Sequence, residues 1–397
     1  MKLSYVVVSY NRRDRLLDTL DRLARTTPLP RAAYEIIVVD NASTDGSADA
    51  VTADFPSVRL IRSRRNRGMA GRNLAFDVAR GDCLVSLDDD SYPLDDAVTR
   101  SMDYLDAHRD AAVVVGRVEL PGGGCEAPAM PAVMLGGASC IRRAAIEDAG
   151  GFDPAFFRQA EEYDLSCRLW SRGWRVARFE DVRYHHAKVP TNRPGDLTHR
   201  MDIRNNAIVA ERFLPVAARR AYRRDWSHRY GRLARCAGAA RASREGREEA
   251  RRWERREAIR RRAMNDAAFE AVFDWRRQAG AIAAWSLTLR DQRVVIADYA
   301  KNLYATYRGC RAAGLDVLAV ADDHPAYRGA SYRGVPMLPL EDAARLRPAG
   351  VVLANVNPAQ VDARTAAAEA VFDAPVLRLW EPRRLGARDH SPLESAA

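Results

Sequence analysis

Three consecutive aspartates, Asp88, Asp89 and Asp90, close the apolar run Cys83-Leu84-Val85-Ser86-Leu87 and precede Ser91-Tyr92-Pro93. Carboxylates crowded at the end of a buried strand repel one another. They are stable where something positive compensates them, and a divalent cation shared with phosphate oxygens suits such a place. Taken alone, an Asp triplet in a loop also fits a solvated acidic turn, because Asp bonds its own backbone there. The flanking segments favour the chemical reading.

Those segments are the elements that must position the triplet. Leu3–Ser9 is a short β-branched run ending in Tyr10-Asn11-Arg12, after which helical spacing begins. A second strand, Glu35–Val39, runs into Asp40-Asn41-Ala42-Ser43-Thr44-Asp45-Gly46-Ser47, which can turn and cap a helix. A third, Val58–Ile61, leads to Asn66-Arg67-Gly68-Met69-Ala70-Gly71-Arg72-Asn73, and the triplet ends the fourth. In a doubly wound sheet the carboxyl ends of the strands share one edge, where ligands bind, so four polar loops converge on one crevice. There Asp40 can accept from a base or ribose, Arg72 and helix amino termini can meet phosphates, and Asp88 with Asp90 can hold a metal. A nucleoside diphosphate is the ligand implied. Neither a Walker-type phosphate loop nor G-x-G-x-x-G follows the first strand, which excludes P-loop NTPase and dinucleotide oxidoreductase chemistry for this half.

In order and spacing, Val8-Ser9-Tyr10-Asn11-Arg12, Val39 through Ser47, Asn66-Arg67-Gly68 through Arg72-Asn73, and Leu87-Asp88-Asp89-Asp90 resemble the family 2 glycosyltransferases. The resemblance covers roughly residues 1 to 210. It implies a GT-A type, Rossmann-like nucleotide-sugar-binding domain with Mn²⁺ or Mg²⁺ on a DxD-like motif at Asp88 and Asp90. Its donor side would comprise Ser9, Tyr10, Asn11, Arg12, Asp40, Asn41, Ser43, Asn66, Gly68, Arg72, Asp88 and Asp89. The segment Glu161-Glu162-Tyr163-Asp164-Leu165 looks like the family's acidic helix, where a carboxylate takes the acceptor hydroxyl's proton. Glu162 stands at the usual place of that base, which is more often Asp, so Glu161 competes for the role. The plain alternative is a helix N-terminus with acidic residues on its dipole and Arg168 paired one turn on. Gly137, where a small residue lets a sugar approach the backbone, and Asp164 of the acidic helix are assigned to the acceptor side. Further on, His185 is the expected third metal ligand, with its neighbour His186 as competitor.

Composition points to a cytoplasmic enzyme of at least two domains: 397 residues, 47% hydrophobic and 29% charged. No signal peptide or apolar run approaching the roughly 20 residues of a membrane helix is evident. Six cysteines without a C-x-x-C pair suggest neither zinc nor a disulfide framework. The net charge of +10 is concentrated between Pro215 and Arg262, where 17 Arg and no Lys face 6 Asp plus Glu. Trp226, Tyr230, Leu233 and Ala237 fall there at helical spacing, so residues 213–288 read as an amphipathic basic connector. Its basic face fits a solvated helix, peripheral contact with an anionic membrane at the inner face, or a lipid-diphosphate acceptor. Aromatics are too sparse for a nucleic-acid stacking platform.

Runs at Val294–Asp298, Val317–Val320, Val351–Ala354 and Val376–Leu379 alternate with helical stretches and predict a small Rossmann-like α/β domain over 289–384. Without the glycine fingerprint, Asp298-Tyr299-Ala300-Lys301-Asn302 would crowd a dinucleotide, leaving a structural, regulatory or assembly role. Residues 385–397 read as a disordered tail. The resulting expectation is a GT-A domain over 1–212 acting as an inverting, metal-dependent glycosyltransferase. Its donor would be a UDP- or dTDP-sugar and its acceptor a hydroxyl of a glycan, lipid-linked or specialised-metabolite molecule. A catalytically silent nucleotide-sugar-binding or scaffold protein is the alternative.

Overall fold

The structure, a computed structural model, describes residues 1–188 and 195–386. They form two compact units, one of residues 1–127, 132–188 and 382–386, the other of 128–131 and 195–381.

The first unit runs β1 (Leu3–Ser9), α1 (Arg13–Thr26), β2 (Tyr34–Asp40), α2 (Ser47–Asp54), β3 (Arg59–Arg62), α3 (Asn73–Phe76), β4 (Cys83–Asp88) and β5 (Ser91–Pro93). It continues through α4 (Ala97–Ala107), β6 (Ala111–Glu119), β7 (Cys125–Glu126), β8 (Ala138–Arg142), α5 (Arg143–Ala149), α6 (Glu161–Ser171) and β9 (Arg175–His186). Its sheet has the order β3-β2-β1-β4-β8-β6-β9-β5, with β7 beside β6. The half from β3 to β4 is parallel, and β8 then pairs antiparallel with both β4 and β6. The β-branched runs make this possible because both faces are buried. Alternate residues of β1, Tyr5 and Val7 against Val6, enter two separate cores, one under α1, α2 and α4, the other under α3, α5 and α6. Each fully buried Val or Leu contributes about 1.5–3 kcal/mol.

In the second unit, α7 (Gly195–Phe213), α8 (Val216–Cys236), α9 (Ala240–Arg260), α10 (Asp266–Phe273) and α11 (Trp275–Ser286) precede an alternation of strands and helices. These are β10 (Arg293–Ala297), α12 (Leu303–Ala312), β11 (Asp316–Ala321), β12 (Ser331–Tyr332), β13 (Val335–Leu338), α13 (Leu340–Ala344), β14 (Gly350–Leu353), α14 (Val361–Val371) and β15 (Val376–Arg378). The sheet order is β12-β13-β11-β10-β14-β15, parallel except at β12.

The structure divides the chain differently from the expected connector and domain, because the basic helices pack on this second sheet. Trp226 Nε1 donates to the Lys301 carbonyl at 2.8 Å, and Tyr332 Oη donates to Asp225 Oδ2 at 2.6 Å. Both bonds bury polar groups of α8 that a free connector would leave to water. Of the expected tail, 387–397 lie outside the described residues. Leu385, by contrast, is held to the first unit by its N–H on Asp181 Oδ1 at 2.8 Å. No helix among the described residues is long and apolar enough to cross a membrane.

Candidate active site

From β1 the chain builds outward to β2 and β3, then returns to lay β4 on the other side of β1. That reversal opens a crevice at the strands' carboxyl ends. Val8 lies opposite Asp88 and Ser9 opposite Asp40, so the first, second and fourth polar loops meet at one level.

The three aspartates have separate surroundings. Asp88 keeps about a quarter of its side chain exposed, and its Oδ1 accepts from Arg72 Nη2 at 2.5 Å. Arg72 was expected on the donor phosphates. Instead it is fully buried, with Nε on Ser86 Oγ at 2.9 Å and Nη2 also on the Leu87 carbonyl at 2.9 Å. The acidic triplet needs a built-in counter-charge, and Arg72 supplies it from beneath the strand end. Burial would raise the Asp88 carboxyl, but the Arg72 guanidinium and His186 hold it below the usual value. Asp89 and Arg12 also turn inward from the donor side expected for them. Asp89 accepts from Ser9 Oγ at 2.8 Å and from Arg12 Nη1 at 3.1 Å, and Arg12 Nη1 reaches Asp90 Oδ2 at 3.2 Å. Burial lifts the Asp89 carboxyl to about 6 against the pull of Arg12.

β5, directly after the triplet, pairs antiparallel with the end of β9, setting Ser91 opposite His186 and Tyr92 opposite His185. Successive residues of a strand face opposite ways, so only one histidine can join the carboxylates. It is His186: its Nε2 lies 3.2 Å from Asp90 Oδ1 and 3.7 Å from Asp88 Oδ2. The expected ligand, His185, turns away and stacks on Tyr92 with ring centroids 4.9 Å apart. Asp88, Asp90 and His186 offer ligand atoms within 4.8 Å of one another. Two carboxylates and an imidazole fit a divalent cation that also takes phosphate oxygens. Glu126, on the two-residue strand β7, completes the arrangement with Oε2 at 2.8 Å from His186 Nδ1. Burial would lower His186, but its bonds to Asp90 and Glu126 push it up to about 10. No sequence signal pointed to Glu126.

The remaining loops are tied to one another. Asn11, at φ 53°, accepts from Thr44 N at 2.7 Å, and its own N–H donates to Ser43 Oγ at 3.0 Å. Asp40 is buried and accepts from Ser43 N at 3.3 Å. Asn41 Oδ1 accepts from Arg67 N at 2.9 Å, and its Nδ2 donates to Asn66 Oδ1 at 3.0 Å and the Gly68 carbonyl at 3.1 Å. Gly68 has φ 58° and its α-carbon is pressed against the Phe157 carbonyl, where a β-carbon has no room. Tyr10 is exposed.

Phe157, Gln159 and Ala160 carry positive φ of 60°, 68° and 60° immediately before α6. Such residues cost on the order of 1–3 kcal/mol each and persist where the surroundings impose them. This path delivers Glu161 and Glu162 to the crevice. Glu162 Oε1 accepts from Gly136 N at 2.7 Å, while a β-carbon on the adjacent Gly137 would stand 2.7 Å from Asp88 Oδ2. The glycine pair therefore separates Glu162 from the metal-type triad. Burial, followed by repulsion from Glu161, pushes Glu162 up to about 8. Glu161 is buried and raised as well, and its Oε2 has no hydrogen-bond partner among the described residues. Asp164, assigned to the acceptor side, is instead fully buried. Its Oδ2 accepts from Arg168 Nε at 2.9 Å and Nη2 at 2.7 Å, and Arg168 Nη2 donates to the Gly151 carbonyl at 2.7 Å. Asp164 thus faces the protein and, through Arg168, braces the 149–151 turn.

Residues 4–128 match the model of Glycosyl transferase family 2, and residues 125–264 match that of Glycosyl transferase family group 2. The uncharacterized glycosyltransferase YfnE of Bacillus subtilis is 36% identical over 114 residues, 28% of this chain and 28% of that protein. A poly(ribitol-phosphate) beta-glucosyltransferase of Bacillus spizizenii is 36% identical over 105 residues, 25% of this chain and 16% of that protein. The chain thus spans less than a third of either relative's length. Among solved structures, S. aureus TarS 1–349 in complex with UDP-GlcNAc is similar at 17% identity and a TM-score of 0.48, over 85% of this chain and 98% of that one. The two matches together run from the first strand through the basic helices, and over these residues, 4–264, the chain is a family 2 glycosyltransferase.

Proposed function

We infer that the protein is an inverting, metal-dependent glycosyltransferase that moves a sugar from a UDP- or dTDP-sugar to an acceptor hydroxyl. The observation that carries this reading is the convergence of Asp88, Asp90 and His186 at the sheet's switch point, with Glu162 across the Gly136–Gly137 pair.

Mn²⁺ or Mg²⁺ held by Asp88, Asp90 and His186 would neutralise charge on the donor diphosphate as it leaves. The chain's own residues do the rest. Arg72 holds Asp88 in place, and Glu126 fixes the imidazole of His186 through Nδ1, leaving Nε2 toward the carboxylates. The Asp40 and Asn41 loops shape the base and ribose end. Glu162 accepts the acceptor's proton on a carboxylate oxygen as the acceptor oxygen bonds to the anomeric carbon and the bond to diphosphate breaks. A carboxyl raised by burial toward the working pH is suited to that transfer, because it is a stronger base than an ordinary carboxylate and still ionises there.

Calorimetric titration of UDP, dTDP and GDP with and without Mn²⁺, beside Asp90→Asn, tests the donor site. Metal-dependent binding of one nucleotide, lost in the variant, supports the reading; no binding of any of them overturns it. Turnover across a nucleotide-sugar panel then separates an enzyme from a silent binder. A protein that binds but neither transfers nor hydrolyses any donor defeats the catalytic part.

A further inference from the structure

Within the second unit, α7, α8 and α9 enclose a groove of about 390 Å³. Three guanidinium groups of α8, from Arg220, Arg223 and Arg224, and two of α9, from Arg247 and Arg251, line it. His228 adds an imidazole, and Glu254 is the carboxylate of the lining. That carboxylate is already matched with Arg223 at 3.2 Å.

Some arginines of the same helices are neutralised inside the unit. Arg219 pairs with Glu211 at 2.9 Å and Arg212 with Glu257 at 2.7 Å. In the groove, Arg220, Arg224, Arg247 and Arg251 form no ion pair with a described residue. The crowding is built in: the Arg247 guanidinium lies against α8 at Gly231, in the space a β-carbon would fill. Burial lowers Arg247, and nearby Arg235 and Arg251 lower it further; His228 is held low by burial and then by Arg224. Like charges gathered in a concavity without internal partners cost free energy that a bound anion recovers.

We propose that this groove is a binding site for a phosphate-bearing anion, a diphosphate or phosphodiester group held by the four unmatched arginines. Guanidinium forks match phosphate oxygens two at a time, and the groove has the concavity of a site for a discrete group. Its floor is Ile203, Ala207 and Ala250, and no Phe, Tyr or Trp lines it, so it offers no platform for stacked bases. The proposal is independent of the sugar-donor reading.

The test is calorimetric titration of pyrophosphate into the full chain at low ionic strength with EDTA present, which keeps metal-dependent binding at Asp88 and Asp90 out of the signal. Arg224 and Arg251 are exposed, so Arg224→Ala with Arg251→Ala removes groove charge without opening a core. Arg252→Ala with Arg255→Ala removes the same charge from exposed positions of α9 outside the groove. Binding of pyrophosphate that falls about tenfold or more in the first pair and less than about twofold in the second supports the site. Equal loss in both pairs, or no binding, overturns it. Co-sedimentation with phosphatidylglycerol vesicles, against phosphatidylcholine vesicles, then separates the sources. Vesicle binding lost in the groove variant assigns a lipid headgroup; pyrophosphate binding without vesicle binding assigns a soluble phosphate group. Retention of a DNA oligonucleotide with no pyrophosphate binding overturns the proposal in favour of nucleic acid.

Discussion

Glu126 Oε2 lies 2.8 Å from His186 Nδ1, on the side of the ring opposite Asp88 and Asp90. A carboxylate behind an imidazole fixes its orientation and raises its basicity toward a metal. Glu126→Gln should therefore weaken Mn²⁺ binding by about 10–100-fold while leaving the fold intact. Metal titration monitored by electron paramagnetic resonance reads this directly; unchanged affinity would remove Glu126 from the site.

Gly137→Ala places a methyl group 2.7 Å from Asp88 Oδ2. The carboxylate must swing away, at a cost of about 1–3 kcal/mol. Metal-dependent nucleotide binding should drop at least tenfold with circular dichroism unchanged. The neighbouring Gly136→Ala meets Met69 Cε and Glu162 Oε1 instead, so it should impair turnover more than nucleotide binding. Equal effects of the two substitutions on nucleotide binding would contradict the division drawn between the glycines.

Arg72 is fully buried and serves as Asp88's counter-charge. Arg72→Met leaves Asp88 without its guanidinium partner and should cost about 3–5 kcal/mol in urea denaturation, as for other broken buried pairs. If Arg72 instead met donor phosphates, the variant would lose affinity for nucleotide and keep its stability.

Glu162 is raised to about 8, so at neutral pH its carboxyl is mostly protonated in the free enzyme. A base must be ionised to act, so kcat/KM should rise with pH and level off above about 8, falling roughly tenfold per unit below it. Glu162→Gln should cut kcat by about 10²–10⁴ and abolish that limb. A limb that persists in this variant, and disappears in Glu161→Gln, would transfer the role to Glu161. The same shift has a stability consequence. A carboxyl raised in the folded state favours folding when protonated, so this contribution is present at low pH and is lost as pH rises from the unfolded value through about 8.

Much of the site was legible in the chain itself. The β-branched runs at Leu3–Ser9 and Tyr34–Asp40 end in polar loops, and the triplet at Asp88–Asp90 closes a third buried strand. Local patterning suffices for this because a doubly wound sheet places all such ends on one edge. The second α/β sheet was legible for the same reason, from its apolar runs and their spacing.

Partnership across long sequence separations was decided only by tertiary structure. The pairing of β5 with β9 selected His186 over His185, a one-residue difference of strand register that composition cannot encode. Arg72 and Asp164 have the residue types of ligand-binding groups, yet packing turned both inward, the first as a counter-charge and the second as a brace for a turn. Glu126 carried no signal because its strand is two residues long and its importance lies entirely in the imidazole 60 residues away. The chain alone determined which residue types gather at the sheet's edge. The folded backbone decided which of them face the crevice, since burial and register distribute charge between ligand, counter-ion and scaffold.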